Sequence, residues 1–215
     1  MHANPGRSFF AFRLLLVLPL LTVLAACAAA PKEADREPDT RTIGLDLWSG
    51  EAGVAGQQMP QLNVVQGTRT VAGPTAWTHG KTGQVLQVYE RRNVESDGVK
   101  SQLYVIRPDG QALGRVYDSR PGRADRFFED DAFFPLGTWS RGESRDFQII
   151  EHTEQGPQTR TATIKIRRLD FTFRDVPHSL RYDWILKDAN GTVLYNERYV
   201  YSPGVGFAAF DNRLK

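Results

Sequence analysis

The chain has 215 residues, of which 27 are basic and 25 acidic, so its formal charge is nearly balanced. This balance argues against nucleic acid as a partner, because binding to phosphates needs a concentrated basic surface. A single cysteine excludes an intramolecular disulfide, and stability must therefore come from burial of apolar side chains, including the 11% of residues that are aromatic.

Residues 1–26 predict a secretory signal peptide. Arg7 and Arg13 precede an apolar run from Leu14 to Leu24, and small residues follow, as expected at a cleavage site. The run is shorter than the roughly 20 apolar residues that a membrane-spanning helix needs. Because both arginines are removed with the signal and no acidic residue is, 25 basic and 25 acidic side chains remain.

The apolar run ends in Leu24-Ala25-Ala26-Cys27, an aliphatic residue, two small residues and a cysteine. This tetrapeptide resembles the lipobox of bacterial lipoproteins. The resemblance implies diacylglyceryl attachment to Cys27, cleavage between Ala26 and Cys27, and acylation of the new amino terminus, giving a firm membrane anchor. In such lipoproteins an aspartate after the cysteine marks inner-membrane retention. Ala28 stands here, so the resemblance implies the periplasm-facing leaflet of the outer membrane. The alternative is an ordinary signal peptide, cut nearby, with Cys27 discarded or left as a free thiol.

Residues 27–42 mix charges and prolines with few apolar side chains after Cys27, and this composition predicts a flexible tether. Residues 43–215 are predicted to form a β-rich periplasmic domain. Within it, residues 43–83 either fold with the rest or form a separate extension. Alternation of Ile43, Leu45 and Leu47 predicts a short strand.

Further strands are predicted from hydrophobic alternation and from the turn residues between them. Weak candidates at 62–65 and 68–72 precede a break at Gly73-Pro74. The stronger ones are 85–91, 101–107, 113–119, 145–153, 159–168, 169–174, 179–187, 192–201 and 205–210. Turns at Glu95–Gly98, Pro108–Gly110 and Asp188–Gly191 join them into hairpins, and a short helix is predicted over Arg123–Phe134.

The apolar residues change from one side of the chain to the other between the predicted strands 159–168 and 169–174. Ala162, Ile164 and Ile166 point one way, whereas Leu169 and the two apolar residues after it occupy the opposite parity. Because the strand period is two, an extra residue is needed, and a β-bulge is predicted near Arg167-Arg168. The predicted fold class is all-β: an antiparallel, bent sheet that forms a sandwich or a half-barrel, with one short helix.

Residues 199–207 read Tyr-Val-Tyr-Ser-Pro-Gly-Val-Gly-Phe. An aromatic-x-Pro-Gly-Val-Gly stretch after a long strand resembles the close of certain bacterial periplasmic and lipoprotein β-domains, over roughly Ser179–Asn212. The resemblance implies a bent antiparallel sheet and supplies no activity. The alternative is a plain hairpin turn, since Pro203 cannot donate to a ladder.

No catalytic, cofactor-binding or metal-binding residue is predicted. His79, His152 and His178 are well separated in sequence and lack ligand spacing. Gly80-Lys81-Thr82 lacks the upstream glycine of a phosphate-binding loop. The acidic run Glu129-Asp130-Asp131 suits either calcium, a carboxylate pair, or a solvated helix face or loop.

The sequence therefore favours a lipid-anchored, non-enzymatic envelope protein that acts in interaction or assembly. An aromatic face or an exposed sheet edge is the expected contact with an envelope protein partner. The alternative is a carrier of a lipid or hydrophobic ligand in a half-open barrel. A third hypothesis is a hydrolase of envelope polymers that uses Glu129, Asp130 and Asp131.

Overall fold

The structure, a computed structural model, describes residues 37–50, 57–59 and 68–214. The predicted signal peptide, Cys27 and the candidate strand at 62–65 lie outside the described residues. In the part described, no helix is both long enough and apolar enough to cross a membrane.

Fourteen strands and one short helix are found among the described residues. In order they are β1 (Thr40–Ile43), α1 (Leu45–Ser49), β2 (Gln57–Met59), β3 (Thr68–Thr78), β4 (Val85–Glu95), β5 (Gly98–Ile106), β6 (Ala112–Ser119), β7 (Arg126–Glu129), β8 (Phe134–Pro135), β9 (Gly137–Ser140), β10 (Ser144–Thr153), β11 (Gly156–Phe173), β12 (Val176–Lys187), β13 (Val193–Ser202) and β14 (Gly206–Asn212).

Twelve of these strands form one antiparallel sheet, in the order β14-β13-β12-β11-β10-β7-β6-β5-β4-β3-β2, with β8 paired to β6. The sheet is bent and does not close. Near its two ends, Nη1 of Arg69 in β3 donates to the carbonyl oxygen of Phe207 in β14 at 2.8 Å. A guanidinium thus links strands that no backbone ladder joins, and the prediction of an antiparallel, bent all-β fold is confirmed.

The predicted hairpins are confirmed. Glu95 pairs with Gly98 across the first turn, so β4 and β5 are in the register that this turn imposes. At the 188–191 turn, the Asp188 carboxylate accepts hydrogen bonds from the backbone N–H groups of Asn190 and Thr192, at 2.9 and 2.8 Å. Such side-chain acceptance is typical of Asp in turns.

The predicted β-bulge is also confirmed. The register between β11 and β12 shifts between Ile166 and Arg168, and again before Phe171. Ile166 and Leu169 are both fully buried even though they differ in parity. The extra residue lets both apolar sets face the core.

An N-terminal segment completes the backbone hydrogen bonding of this bulge. The Glu37 carboxylate accepts hydrogen bonds from the N–H groups of Leu169 and Asp170 and from Nε of Arg168. Nη1 of Arg41 donates to the carbonyl oxygens of Leu169 and His178. The predicted boundary of the flexible tether at residue 42 is therefore wrong. Glu37 and Arg41 contact β11, and β1 pairs with β9.

The start of the domain also differs from expectation. Residues 45–49 form helix α1 and not a strand, and Trp48 is buried with its ring 4.9 Å from that of Tyr104. Strand β3 pairs with β4 along its length and only shifts register at Gly73-Pro74, where a break was predicted. The described residues from Glu37 onward form one compact unit, which includes the described part of 43–83.

The predicted helix over Arg123–Phe134 is wrong. Residues 126–129 form β7, which pairs with β10 and β6, and Asp130 adopts a left-handed conformation with φ of 53°. Pairing with distant strands and the turn at Asp130 outweigh the local preference of these residues for a helix. A close backbone approach fixes the next residues, since a Cβ on Gly114 would lie 2.0 Å from the carbonyl oxygen of Asp131.

Candidate functional site

A cavity of about 140 Å³ lies between strands from the two halves of the bent sheet. Its lining combines cations, amides and aromatic rings with a single carboxylate. The lining residues are Arg91, Asn93, Lys100, Gln102, Arg115, Arg120, Arg126, Phe133, Trp184, Tyr195, Glu197, Tyr199, Phe207 and Phe210.

The cavity has two chemically different walls. The cations come from β4 to β7, where the long side chains of neighbouring strands converge: Arg91, Lys100, Arg115, Arg120 and Arg126. Most of the aromatic rings come from β12 to β14 on the other side. Three of these cations form ion pairs within the fold, Arg115 and Arg120 with Asp118 and Arg126 with Glu151. Arg91 and Lys100 are left to attract negative charge, and the other wall offers ring faces. We call this cavity the cationic pocket.

Arg91 is the most unusual residue of the cationic pocket. Only 6% of it is exposed, and its guanidinium donates to Tyr201 Oη at 3.0 Å, to Gln102 Oε1 at 2.7 Å and to Tyr104 Oη at 2.7 Å. All three acceptors are neutral, and its Nε has no partner among the described residues. Burying a guanidinium without a carboxylate costs free energy, because the lost hydration is not recovered.

Arg115 provides the contrast. It is equally buried, but its guanidinium lies 3.4 Å from the carboxylate of Asp118 and 3.6 Å from that of Asp131. Burial alone would raise the pKa of Asp118, yet Arg115 and Arg120 outweigh it and hold that pKa below its ordinary value. Burial dominates at Asp131 and raises its pKa. Arg115 is thus neutralised from within the fold, whereas Arg91 is not.

Lys100 adds a second cation without a carboxylate. Burial, with the neighbouring charges of Arg120 and Arg91, lowers its pKa to about 8. No carboxylate of the described chain forms an ion pair with its ammonium group. An anion in the cationic pocket would relieve the repulsion among these three cations.

The two amides of the cationic pocket also present donors. Asn93 Oδ1 accepts from Nε of Arg69 at 3.2 Å, and Gln102 Oε1 accepts from Arg91 and from Tyr104 Oη. These bonds fix both amide orientations and leave both NH₂ groups without a partner among the described residues. The single lining carboxylate, Glu197, already accepts from Tyr199 Oη. The donor excess is complementary to a ligand rich in acceptor oxygens.

The acidic run does not form a carboxylate pair. Glu129 lies 2.6 Å from Nε2 of His152, Asp130 is exposed, and Asp131 is buried beside Arg115. The three side chains therefore have separate partners or surroundings. Within residues 37–50, 57–59 and 68–214, no group of three or more His, Cys, Asp or Glu side chains is arranged to hold a metal ion.

Two histidines that are well separated in the sequence lie together in the fold, with the ring centroids of His79 and His152 5.6 Å apart. His79 Nδ1 accepts from the N–H groups of Lys81 and Thr82, and Nε2 donates to the Phe128 carbonyl oxygen at 3.1 Å. Burial lowers the pKa of His79 and favours this neutral form. Residues 80–82 form the turn between β3 and β4, so the pair is structural.

No known protein family, curated protein or solved structure matches the chain.

The cationic pocket was missed at the sequence level, although one signal for it exists. A hairpin turn that pairs Glu95 with Gly98 places Arg91 opposite Gln102. Arg91 and Asn93 also share the parity of Tyr89, which is an unusual position for a charge on a core-facing strand side.

Proposed function

We propose that the chain is a lipid-anchored, non-enzymatic protein of the bacterial cell envelope whose β-domain binds an anionic group in the cationic pocket. The observation that carries this proposal is Arg91, a buried guanidinium with only neutral partners. A bound anion supplies the missing counter-charge, and charge-assisted hydrogen bonds from guanidinium groups are among the stronger ones available.

The anchor belongs to the same proposal. The tetrapeptide Leu24–Cys27 supports acylation of Cys27, and Ala28 in place of an aspartate supports a position on the periplasmic side of the outer membrane. The domain then meets an anion that is either carried by an envelope partner or free in the periplasm. Binding, and no chemical step, is the role that the lining residues support.

The dimensions of the cationic pocket favour a compact group over an acyl chain. Its volume of about 140 Å³ is below the roughly 300–1,000 Å³ that is common for drug-sized ligands. Arg91 and Lys100, the two lining cations that form no ion pair with a carboxylate of the described chain, also oppose a purely hydrocarbon ligand, because their desolvation would not be compensated.

Thermal unfolding in sulfate tests the proposal. Purified protein in detergent micelles is melted in sodium sulfate and in sodium chloride of equal ionic strength. A ligand that binds only the folded state raises the midpoint as its concentration exceeds the dissociation constant. Because sulfate stabilises many proteins by exclusion from their surface, the informative quantity is the difference between wild type and Arg91→Met.

We expect Arg91→Met to lose the part of the sulfate effect that is due to binding. Arg213→Met is the matched control, since Arg213 is exposed, lies outside the cationic pocket and pairs with Asp211 at 3.6 Å. Equal sulfate effects in wild type, control and Arg91→Met would contradict the proposal.

A further inference from the structure

The exposed aromatic rings are confined to the cationic pocket. Among the described residues, only two aromatic side chains are exposed: Tyr195 at 37% and Phe210 at 40%. Both line the cavity. Exposed rings cost free energy in water, and two that flank one cavity indicate a ligand with a face to cover them.

Tyr195 also links the two walls. Its ring centroid lies 5.5 Å from the guanidinium carbon of Arg126, and Nη1 of Arg126 donates to its hydroxyl at 3.5 Å. A ligand that packs on this ring therefore lies beside a guanidinium, which is also paired with Glu151 at 2.6 Å. The mouth of the cavity can hold a molecule that is apolar on one side and negatively charged on another.

The interior of the cationic pocket has donors for more than one acceptor atom of a ligand. The NH₂ groups of Asn93 and Gln102 are donors in addition to the cations, and Glu197 offers the one lining carboxylate. The volume of about 140 Å³ resembles the roughly 150 Å³ cavity that encloses a six-membered ring such as benzene.

We infer that the ligand is an acidic sugar unit: one six-membered sugar ring that bears a carboxylate or a phosphate. This inference rests on the proposed function of the cationic pocket as an anion site. The acid contacts Arg91 and the neighbouring cations. Hydroxyl oxygens accept from the amides of Asn93 and Gln102, and the C–H face of the ring packs on Tyr195 and Phe210, whose π faces carry negative charge.

Calorimetric titration of the full chain in detergent micelles tests this assignment. The probes are glucuronate, glucose 6-phosphate, glucose, acetate, inorganic phosphate and N-acetylphenylalanine. We expect each acidic sugar to bind about tenfold more tightly than the simple anion that carries the same acid, because two ring contacts are added. Glucose, which lacks the acid, is expected not to bind measurably.

Variants of the aromatic rim separate sugar recognition from anion recognition. Tyr195→Ala and Phe210→Ala are expected to lower the affinity for glucuronate to about that for acetate, with acetate binding unchanged. Val193→Ala is the control, since Val193 is exposed on the same strand as Tyr195 and does not line the cavity. It should bind glucuronate as wild type does.

The outcomes are distinguishable. If acetate and phosphate bind as tightly as the acidic sugars, the sugar assignment is overturned while the anion site stands. Tighter binding of N-acetylphenylalanine than of glucuronate also overturns it, in favour of a peptide carboxylate. If no anionic probe binds, both the assignment and the proposed function are refuted.

Discussion

Replacing Arg91 by methionine should leave the free energy of unfolding almost unchanged. Methionine keeps most of the side-chain length and removes the charge. A buried residue that contacts several others normally costs stability when its polar group is deleted. Arg91 should be an exception, because its charge has no counter-charge in the described fold.

The opposing contributions at Arg91 are similar in size. Deletion of the guanidinium abolishes a desolvation penalty of several kcal/mol. It also removes stacking on Tyr104, Phe133 and Phe207, at 5.2 to 5.7 Å, worth up to about 2 kcal/mol. Tyr201 Oη loses its donor, which costs about 1–3 kcal/mol. Tyr104 Oη keeps its hydrogen bond to Gln102. The net change should lie within about 1 kcal/mol of zero.

Arg115→Met is the matched comparison. Arg115 is equally buried and also lies over aromatic rings, including Phe128 at 4.8 Å. Its removal leaves Asp131 without its guanidinium, and orphaning a buried carboxylate costs about 3–5 kcal/mol. The two substitutions are chemically identical, and the presence of carboxylate partners at Arg115 is the difference that we expect to decide their effects.

Urea unfolding followed by tryptophan fluorescence measures both variants. Equal slopes with different midpoints identify a change in stability. We expect Arg115→Met to lose stability and Arg91→Met to retain it while losing the sulfate effect. If Arg91→Met unfolds as readily as Arg115→Met, Arg91 is a structural residue and the reasoning fails.

Four further predictions follow from charges, packing and the sequence. Lys100 is protonated below its pKa of about 8 and loses its charge above it, so sulfate affinity should fall about fivefold from about pH 7 to about pH 9. If Lys100→Met keeps the same pH dependence, Lys100 is not the cause of the fall in affinity. Glu37→Gln should lower the free energy of unfolding by about 1–3 kcal/mol, whereas the exposed Asp39→Asn should change it by less than about 0.5 kcal/mol; equal effects contradict the docking of Glu37 on the bulge. Gly114→Ala should cost about 3 kcal/mol in urea unfolding, and a wild-type midpoint would show that the close approach can relax. Cys27→Ser should abolish labelling by radioactive palmitate and release the protein from membranes; retention of both refutes the lipid anchor.

Features governed by local rules could be predicted from the sequence. The parity change between Ile166 and Leu169 indicated the bulge, and Asp-Gly and Asn-Gly dipeptides indicated the hairpins. Both rules act over a few residues and depend little on the rest of the chain.

The errors arose where distant strands decided the outcome. Residues 126–129 became a strand because β10 and β6 pair with them, and no local pattern encodes that pairing. Helix α1 spans five residues, which is too few for a helical period to show. A segment judged too polar to fold is ordered from Glu37 onward, because the bulge offers unpaired N–H groups to its carboxylate.

The cationic pocket could not be predicted because its residues are contributed by strands far apart in the chain. Each of its arginines looks like an ordinary solvated side chain of a strand. Only the bend of the sheet brings Arg91, Lys100 and Arg115 close to the rings of β13 and β14. The hairpin register at Glu95–Gly98 was the single local clue.

The guanidinium of Arg69 has a mechanical consequence for this domain. It spans the open seam of the curved sheet through Phe207, and the same group holds the amide oxygen of Asn93. No backbone ladder joins β3 to β14 in the described chain, whereas neighbouring strands are joined by one, so we expect opening motions to concentrate along this line. If the proposed ligand hydrogen-bonds to Asn93, it holds the amide that accepts from Arg69. Occupancy of the interior and closure of the seam would then be coupled.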